Sequence, residues 1–506
     1  MKAKGSSRES NIDYRIFIPS LIIAAAAIAF MICFSDFSGK LLNQCFHFLT
    51  HEIGWAYLLL VAVLLVFSLW IAFSKYGSIK LGDKDDPKQY SDFSWTAMIF
   101  AAGMSIAVVL LGFIEPINLL MSTPQDIAPM SDKAYEYAHM YAQFFQGPAA
   151  WCVYGPASAA VGYTIYVKKE NVLKLSSACS PVLGGYTNKW PGVTIDVLVM
   201  LGMIGGISTS LGMGAPTVTA LIEHIFGIPQ STAMTIVVML IWACIFGTSV
   251  FLGLDKGIKK LSDINLYVLF FLMALVFFVI PKRDFFFTEL NSLGLMIDNM
   301  GNLMLGSSIF GSSTFTEDWT VFYWAWWLAF MPMIALFGAR VSKGRTIRQM
   351  ILGELVYGGG GSLLVFGLFG AYSLHLQRSG AVDLVRILAE QGREQTLIAI
   401  INTLPMHNIT MIMVLCLIFI FLATTIDSTA YTLASVCTKR LSGNEQPARY
   451  NRITWAVILL LFALGLVLLG GLKIVQTASI LLGFPLIFVT IIIMVSVKKM
   501  FNSHKF

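Results

Sequence analysis

Long apolar runs alternate with short charged ones along almost the whole of this 506-residue chain. A helix needs about 20 predominantly apolar residues to cross the hydrocarbon of a bilayer. Twelve stretches qualify: roughly 16–35, 55–74, 93–120, 138–167, 192–216, 230–253, 262–281, 319–340, 351–374, 407–437, 453–470 and 474–497. The pattern predicts an all-α, polytopic membrane protein with 12 transmembrane helices. The number is even, so both ends lie on one side. That topology leaves 26 of the 34 Lys and Arg residues on the side of the termini, and only Lys40, Lys133, Lys282, Arg283, Arg378, Arg386, Arg393 and Lys473 on the other. Loops rich in Lys and Arg stay in the cytoplasm, so both termini are expected there, in a cytoplasmic (inner) membrane. No small-residue cleavage signal follows the first run, which is therefore expected to remain as a span.

Two stretches on the outer side read differently. Residues 285–305, with Phe285, Phe286, Phe287, Leu290, Leu293, Leu295 and Met296, are amphipathic and too polar to span. That suits a helix lying along the outer surface. Residues 380–404 set Asp383, Arg386, Glu390 and Arg393 against Val382, Leu384 and Leu388, the pattern of a short external helix that covers apolar surface.

Composition narrows the class. With 57% hydrophobic and 12% charged residues, the chain sits among membrane proteins rather than multidomain soluble ones. Its net charge of +6 needs no nucleic acid, because basic residues at 439–452 and 498–505 suit membrane lipid at the inner face. The seven cysteines and seven histidines show no metal-ligand spacing, and the cysteines read as small core residues. No nucleophile, base and orienting acid can be assembled, so an enzyme is not expected and no cofactor is called for. A channel would show a ring of charge or a continuous polar lining, and none is evident.

The chemistry concentrates in Trp319-Thr320-Val321-Phe322-Tyr323-Trp324-Ala325-Trp326-Trp327 and the residues to Arg340. On a helix, Trp319, Tyr323, Trp326, Phe330 and Ile334 recur at spacings of three and four and share a face. Indole faces attract organic cations, and quaternary ammonium groups, which cannot donate hydrogen bonds, are the natural ligands of such walls. In the fourth stretch Trp151 and Tyr154, three apart, share a face behind Gln146-Gly147-Pro148. The third carries Ala101-Ala102-Gly103-Met104-Ser105-Ile106-Ala107. Small residues there serve either close helix packing or a loosened backbone whose carbonyls can meet an ion. Glu115 and Asp427 lie inside apolar stretches, where an acid must find a partner or carry function.

The string WTVFYWAWW followed by ARVSKGRTIR resembles the betaine/choline/carnitine transporter family, nearest in look to its carnitine/γ-butyrobetaine antiporters. Phe226-Gly227-Ile228-Pro229, Gly257 to Asp263, Ala430 to Ala434, Gly470-Gly471-Leu472-Lys473 and Gln476-Thr477 also match. The resemblance implies a LeuT-like core of two inverted five-helix repeats. These would occupy 93–281 and 319–497, after a tail and two peripheral helices in 1–92 and around the surface helix in 282–318, with a short tail at 498–506. It also implies a homotrimer. The substrate would be a quaternary ammonium compound held by Trp326, Trp327, Phe330, Trp151, Tyr154, Gln146, Asn118 and Trp319. In sodium-coupled relatives an ion site draws on positions matching Ala101, Met104, Thr424 and Thr425, and oxygen ligands of this kind suit sodium.

Several positions depart from the family. Gln146 stands where Trp is usual, Asn118 and Phe330 where the carnitine exchangers have Tyr, and Ile334 where they have Met. Asn265 stands where they carry an arginine thought to replace a coupling ion, Thr425 where they have Leu, and Ala107 where choline-selective relatives place an aspartate. The resemblance so amended implies a secondary transporter of a betaine- or carnitine-type zwitterion, by sodium symport. Sodium-independent substrate/product exchange and a non-transporting sensor of the same ligands are the alternatives.

Overall fold

The computed structural model describes residues 12–505 except 105–106, 125, 171, 253–257, 308–310, 312, 442–445 and 470–471. Ser105, Ile106, Gly257, Gly470 and Gly471 of the motifs above thus lie outside the described residues. The fold is helical, and among the described residues β-structure is limited to the isolated bridges Ile12–Thr438 and Lys80–Thr346. Among the described residues, eight helices are long and apolar enough to cross a membrane on their own, which does not establish the twelve expected: Tyr14–Cys33, Gly54–Phe73, Trp190–Phe226, Thr316–Val341, Ile347–Arg378, His407–Val436, Arg449–Leu469 and Gln476–Asn502. Each coincides with one of the apolar stretches. The helix Ile264–Val279 turns by 111° into Lys282–Leu305, so the amphipathic segment leaves the direction of the preceding span.

Burial separates centre from periphery. The most apolar window of Thr316–Val341 is 94% buried and that of Trp190–Phe226 is 78%, against 28% for Tyr14–Cys33. Peripheral helices instead show Ile22, Phe30, Val66, Phe73 and Phe278 on the outside, as hydrocarbon requires of a surface it solvates. Cys152, Cys179 and Cys437 are buried, but Cys33, Cys244 and Cys416 are exposed. The expectation that the cysteines pack inside is corrected for these three, since a small apolar side chain suits lipid as well as core.

Several of the Lys- and Arg-rich segments touch one another. Lys174 reaches Asp13 at 2.8 Å and Arg15 donates to the Asn188 carbonyl at 3.0 Å. Lys169 pairs with Asp83 at 2.8 Å, Leu81 N–H donates to Arg345 C=O at 2.8 Å, and Tyr163 meets His504 at 3.2 Å. All of these segments belong to the Lys/Arg-rich set. Burial pushes the Asp13 carboxyl up, but the hydrogen bonds and charges of Arg15 and Lys174 outweigh it and hold the group well below the usual range. In the crossing between 80–82 and 344–346, Gly344 has φ +82° and a Cβ there would lie 2.2 Å from the Pro87 carbonyl, so only glycine fits. At the opposite end Arg378 pairs with Asp132 at 2.9 Å and His375 with Asp284 at 3.0 Å.

Four spans are locally irregular. The third divides into Asp92–Gly103 and Ala107–Met121, with Met104 extended at φ −111°, ψ 116°. The fourth divides after Asp132–Phe144, because Pro148 cannot donate to a preceding turn and opens the next segment instead. Wide π-helical turns occupy Thr316–Thr320 and Gly353–Gly359 at spans eight and nine; such turns often mark functional sites.

Candidate functional site: an aromatic cluster around the tryptophan helix

The helix Val321–Val341 runs through the centre of the bundle and packs on Trp190–Phe226, Gly155–Gly162 and Leu472–Asn502. Its two adjacent tryptophans diverge by about 100°, the rotation per residue of an α-helix, and serve two ring groups. Trp327 lies 5.8 Å from Trp151 and 5.5 Å from Tyr154, which are themselves 5.6 Å apart. Trp326 stacks on Phe322 at 5.6 Å, stands 6.1 Å from Phe330 edge-on, and lies 6.2 Å from Tyr323. Tyr323 in turn stacks on Phe145 at 4.6 Å.

The indole N–H groups of Trp327, Trp326 and Trp151 are each anchored. The break in span four brings the Phe145 carbonyl to Trp327 Nε1 at 2.9 Å. Trp326 Nε1 donates to the Gly206 carbonyl at 3.2 Å, an approach open because a Cβ on Gly206 would already lie 3.1 Å from the Phe330 ring. Trp151 is pressed between two glycines: a Cβ on Gly103 or Gly358 would sit 2.2 or 2.4 Å from its ring. Its Nε1 donates to Ser362 Oγ at 3.1 Å, and that hydroxyl lies 3.3 Å from Met104 Sδ. Ser362 thus joins the aromatic cluster to the interrupted third span.

The rings differ in what they leave reachable. Trp326, Trp327 and Phe330 keep 6%, 6% and 7% of their surface, whereas Trp151 and Tyr323 keep 0% and Tyr154 1%. The first three keep a little accessible surface; the others are enclosed behind them. Gln146 is buried, and its Nε2 comes near the Tyr323 hydroxyl without forming a well-aligned hydrogen bond among the described residues. A buried amide N–H so poorly satisfied is costly.

Two expected residues stand elsewhere. The π-helical turn at Thr316–Thr320 winds more residues per turn than the α-helix that follows, so Trp319 leaves the face of Tyr323 and Trp326; it is half-buried and donates to Ser122 Oγ at 2.9 Å. Asn118 donates to Glu115 Oε2 at 3.0 Å, and the same carboxyl accepts from the Tyr323 hydroxyl and lies 3.6 Å from Arg393 of the external helix Arg393–Asn402. Glu115 is therefore a braced acid. Asp427 is likewise bonded, to Arg452 at 3.0 Å with both side chains buried.

At the expected ion positions, Ala101 lies in the last turn before the break at Met104, where a helix leaves its final carbonyls without intrahelical partners. Thr424 and Thr425 donate to the Phe421 carbonyl at 2.9 and 2.8 Å. Asn265 is buried against the same turn, and with its amide oxygen and nitrogen exchanged it donates to Leu417 C=O and accepts from Phe421 N–H, both at 3.3 Å. The segments bearing Ala101 and Thr424 both pack on the tryptophan helix. Phe145, Ser362 and Gly206 were not singled out in the sequence; the Gln146-Gly147-Pro148 break and the Gly358–Gly361 run were the local signals next to the first two.

A model of the BCCT group, the betaine/carnitine/choline family transporters, matches residues 15–506. Among solved structures, the chain is similar to a Na+-coupled sialic acid symporter in a substrate-bound outward-open state, with 12% identity, 89% of this chain and 83% of that chain covered, and a TM-score of 0.44.

Proposed function

Because the chain belongs to the betaine/carnitine/choline transporter family, we propose that this multi-pass membrane transporter carries a quaternary ammonium zwitterion, of betaine or carnitine type, with sodium as the coupling ion. The cation would rest against Trp326, Trp327 and Phe330, backed by Trp151 and Tyr154. The observation that carries the zwitterion reading is Gln146 Nε2, a buried donor whose approach to the Tyr323 hydroxyl falls short of a well-aligned bond. A carboxylate would be the stronger acceptor. Charge-assisted hydrogen bonds of this kind are roughly twice as strong as neutral ones, so the donor would select a zwitterion over choline.

Sodium coupling draws its support from oxygen chemistry. The end of the helix Asp92–Gly103 and the Thr424 and Thr425 hydroxyls offer neutral oxygens, the ligand type of hard cations. Asn265, an uncharged amide braced on the Phe421 turn, supplies no fixed cation to replace the ion. The 26-to-8 asymmetry of Lys and Arg supports an inner-membrane orientation with both termini inside. Exposed Phe286, Phe287, Leu290 and Ile297 on the surface helix favour a homotrimer contact there. Uptake into proteoliposomes tests the coupling. Symport predicts accumulation of labelled glycine betaine or L-carnitine driven by an inward sodium gradient; uptake that ignores sodium and requires internal substrate would establish exchange instead. Binding without flux would leave the sensor.

A further inference from the structure

Glu354 lies at the junction of four spans, in the wide turn Gly353–Gly359, and is fully buried. One carboxyl oxygen accepts from Ser158 Oγ of the fourth span at 2.5 Å. The other, Oε2, has no hydrogen-bond partner among the described residues. Gly338 of the eighth span makes room for the group: a Cβ there would lie 2.9 Å from Glu354 Oε1 and 3.5 Å from Ser158 Oγ, with Ile99 of the third span behind it.

The charged and titratable groups on the surrounding elements are engaged elsewhere. Arg340, two residues after Gly338, donates to the Tyr431 hydroxyl. Arg348, on Glu354's own helix, donates to the Ala72 and Ser74 carbonyls, and Tyr357 packs its ring on Trp95. Asp92, at the start of the third span, takes Arg345 and Lys88. At the far end of the ninth span His375 and Arg378 pair with Asp284 and Asp132. On the fourth span the titratable neighbour is Tyr154, one turn from Ser158 and part of the aromatic cluster. None of these places a cation on Glu354.

An ionised carboxylate needs a paired charge or several donors when removed from water, and without them it takes up a proton. Glu354 has a single neutral donor. We propose that Glu354 is a proton-binding site of the transport bundle, holding one exchangeable proton in the packing seen here and trading it with the cytoplasmic side when spans four, eight and nine part. The reaction is simple: the carboxylate gains a proton and becomes a carboxylic acid, and no other bond changes. The distance is short, since Glu354 lies seven residues beyond Ile347, where this helix begins, or about 10 Å at 1.5 Å per residue. Ser158 and Tyr154 then connect the acid to the rings, so its occupancy bears on the site proposed above. The binding of the proton does not depend on that reading.

Infrared difference spectroscopy of the full-length protein in detergent at neutral pH, without any transported solute, tests it. The wild-type-minus-E354Q spectrum should contain the carbonyl band of an un-ionised carboxyl that moves to lower frequency in D2O. S158A, which removes the hydrogen-bond donor and keeps the acid, should shift that same band to higher frequency. A difference spectrum that shows only carboxylate bands overturns the proposal. Should E354Q not fold, S158A decides it: a displaced acid band supports the site, and a displaced carboxylate band refutes it.

Discussion

Replacing Trp327 by Leu removes one indole face from the ring group it forms with Trp151 and Tyr154. In a desolvated site a cation over such a face is worth about 1–2 kcal/mol, so the Kd for glycine betaine should rise roughly 5- to 30-fold. Leu also loses the bond to the Phe145 carbonyl, a cost of about 1–3 kcal/mol when the partner stays buried. That cost weighs on folding and on every ligand alike. The isosteric 3,3-dimethylbutyrate separates the two effects, because it has the shape and carboxylate of betaine without the positive charge. Titration by intrinsic fluorescence or calorimetry should find betaine favoured over the isostere in the wild type, with that preference shrinking about 5- to 30-fold in Trp327→Leu. Trp327→Phe, which keeps a ring, should fall between. Equal losses for both ligands would show that the indole only fills space.

Other consequences follow from single contacts. Gln146→Leu should weaken betaine binding by about 1.5–3 kcal/mol, the worth of a hydrogen bond to a charged group, while leaving choline binding and the melting temperature undiminished; a parallel loss for choline would refute the assigned role. Asp427→Asn should destabilise the protein by about 3–5 kcal/mol because Arg452 is left buried and unpaired, and thermal unfolding in detergent should show much of this recovered when Arg452→Met is added. Burial raises the Glu289 carboxyl from its ordinary 4.5 to about 7, against the bond from Gln143. The folded form therefore binds the extra proton, so this contribution is complete below about 4.5 and is lost as pH rises through 7. Protection factors in 282–305, hydrogen-exchange rates corrected for the intrinsic pH dependence, should fall across that window in the wild type and not in Glu289→Gln.

Apolar length was enough to find the eight long helices, because the bilayer sets that length and little else competes with it. The 111° bend into Lys282–Leu305 falls where the chain becomes more polar. Continuity was not. Hydropathy counts apolar residues and is blind to whether they form one helix, so the division at Gln146-Gly147-Pro148 and the wide turns at Thr316–Thr320 and Gly353–Gly359 left no periodic trace. Those irregularities decide the site. One carries Trp319 off the shared face, and another brings the Phe145 carbonyl to Trp327. The family resemblance put Trp326 and Trp327 together around one solute, whereas adjacent residues on a helix diverge and here serve two ring groups. Glu115 illustrates the remaining limit: its partners Tyr323 and Arg393 lie far along the chain, and only folding brings them together.

Indoles inside the bundle should hold the cation of the transported solute. Arsenobetaine, with arsenic in place of the quaternary nitrogen, locates that cation directly by anomalous diffraction from crystals of the complex. The arsenic peak should fall within about 6 Å of the Trp326 or Trp327 ring, with the carboxylate towards Gln146. A peak beside Trp319 or at the lipid-facing surface would contradict it.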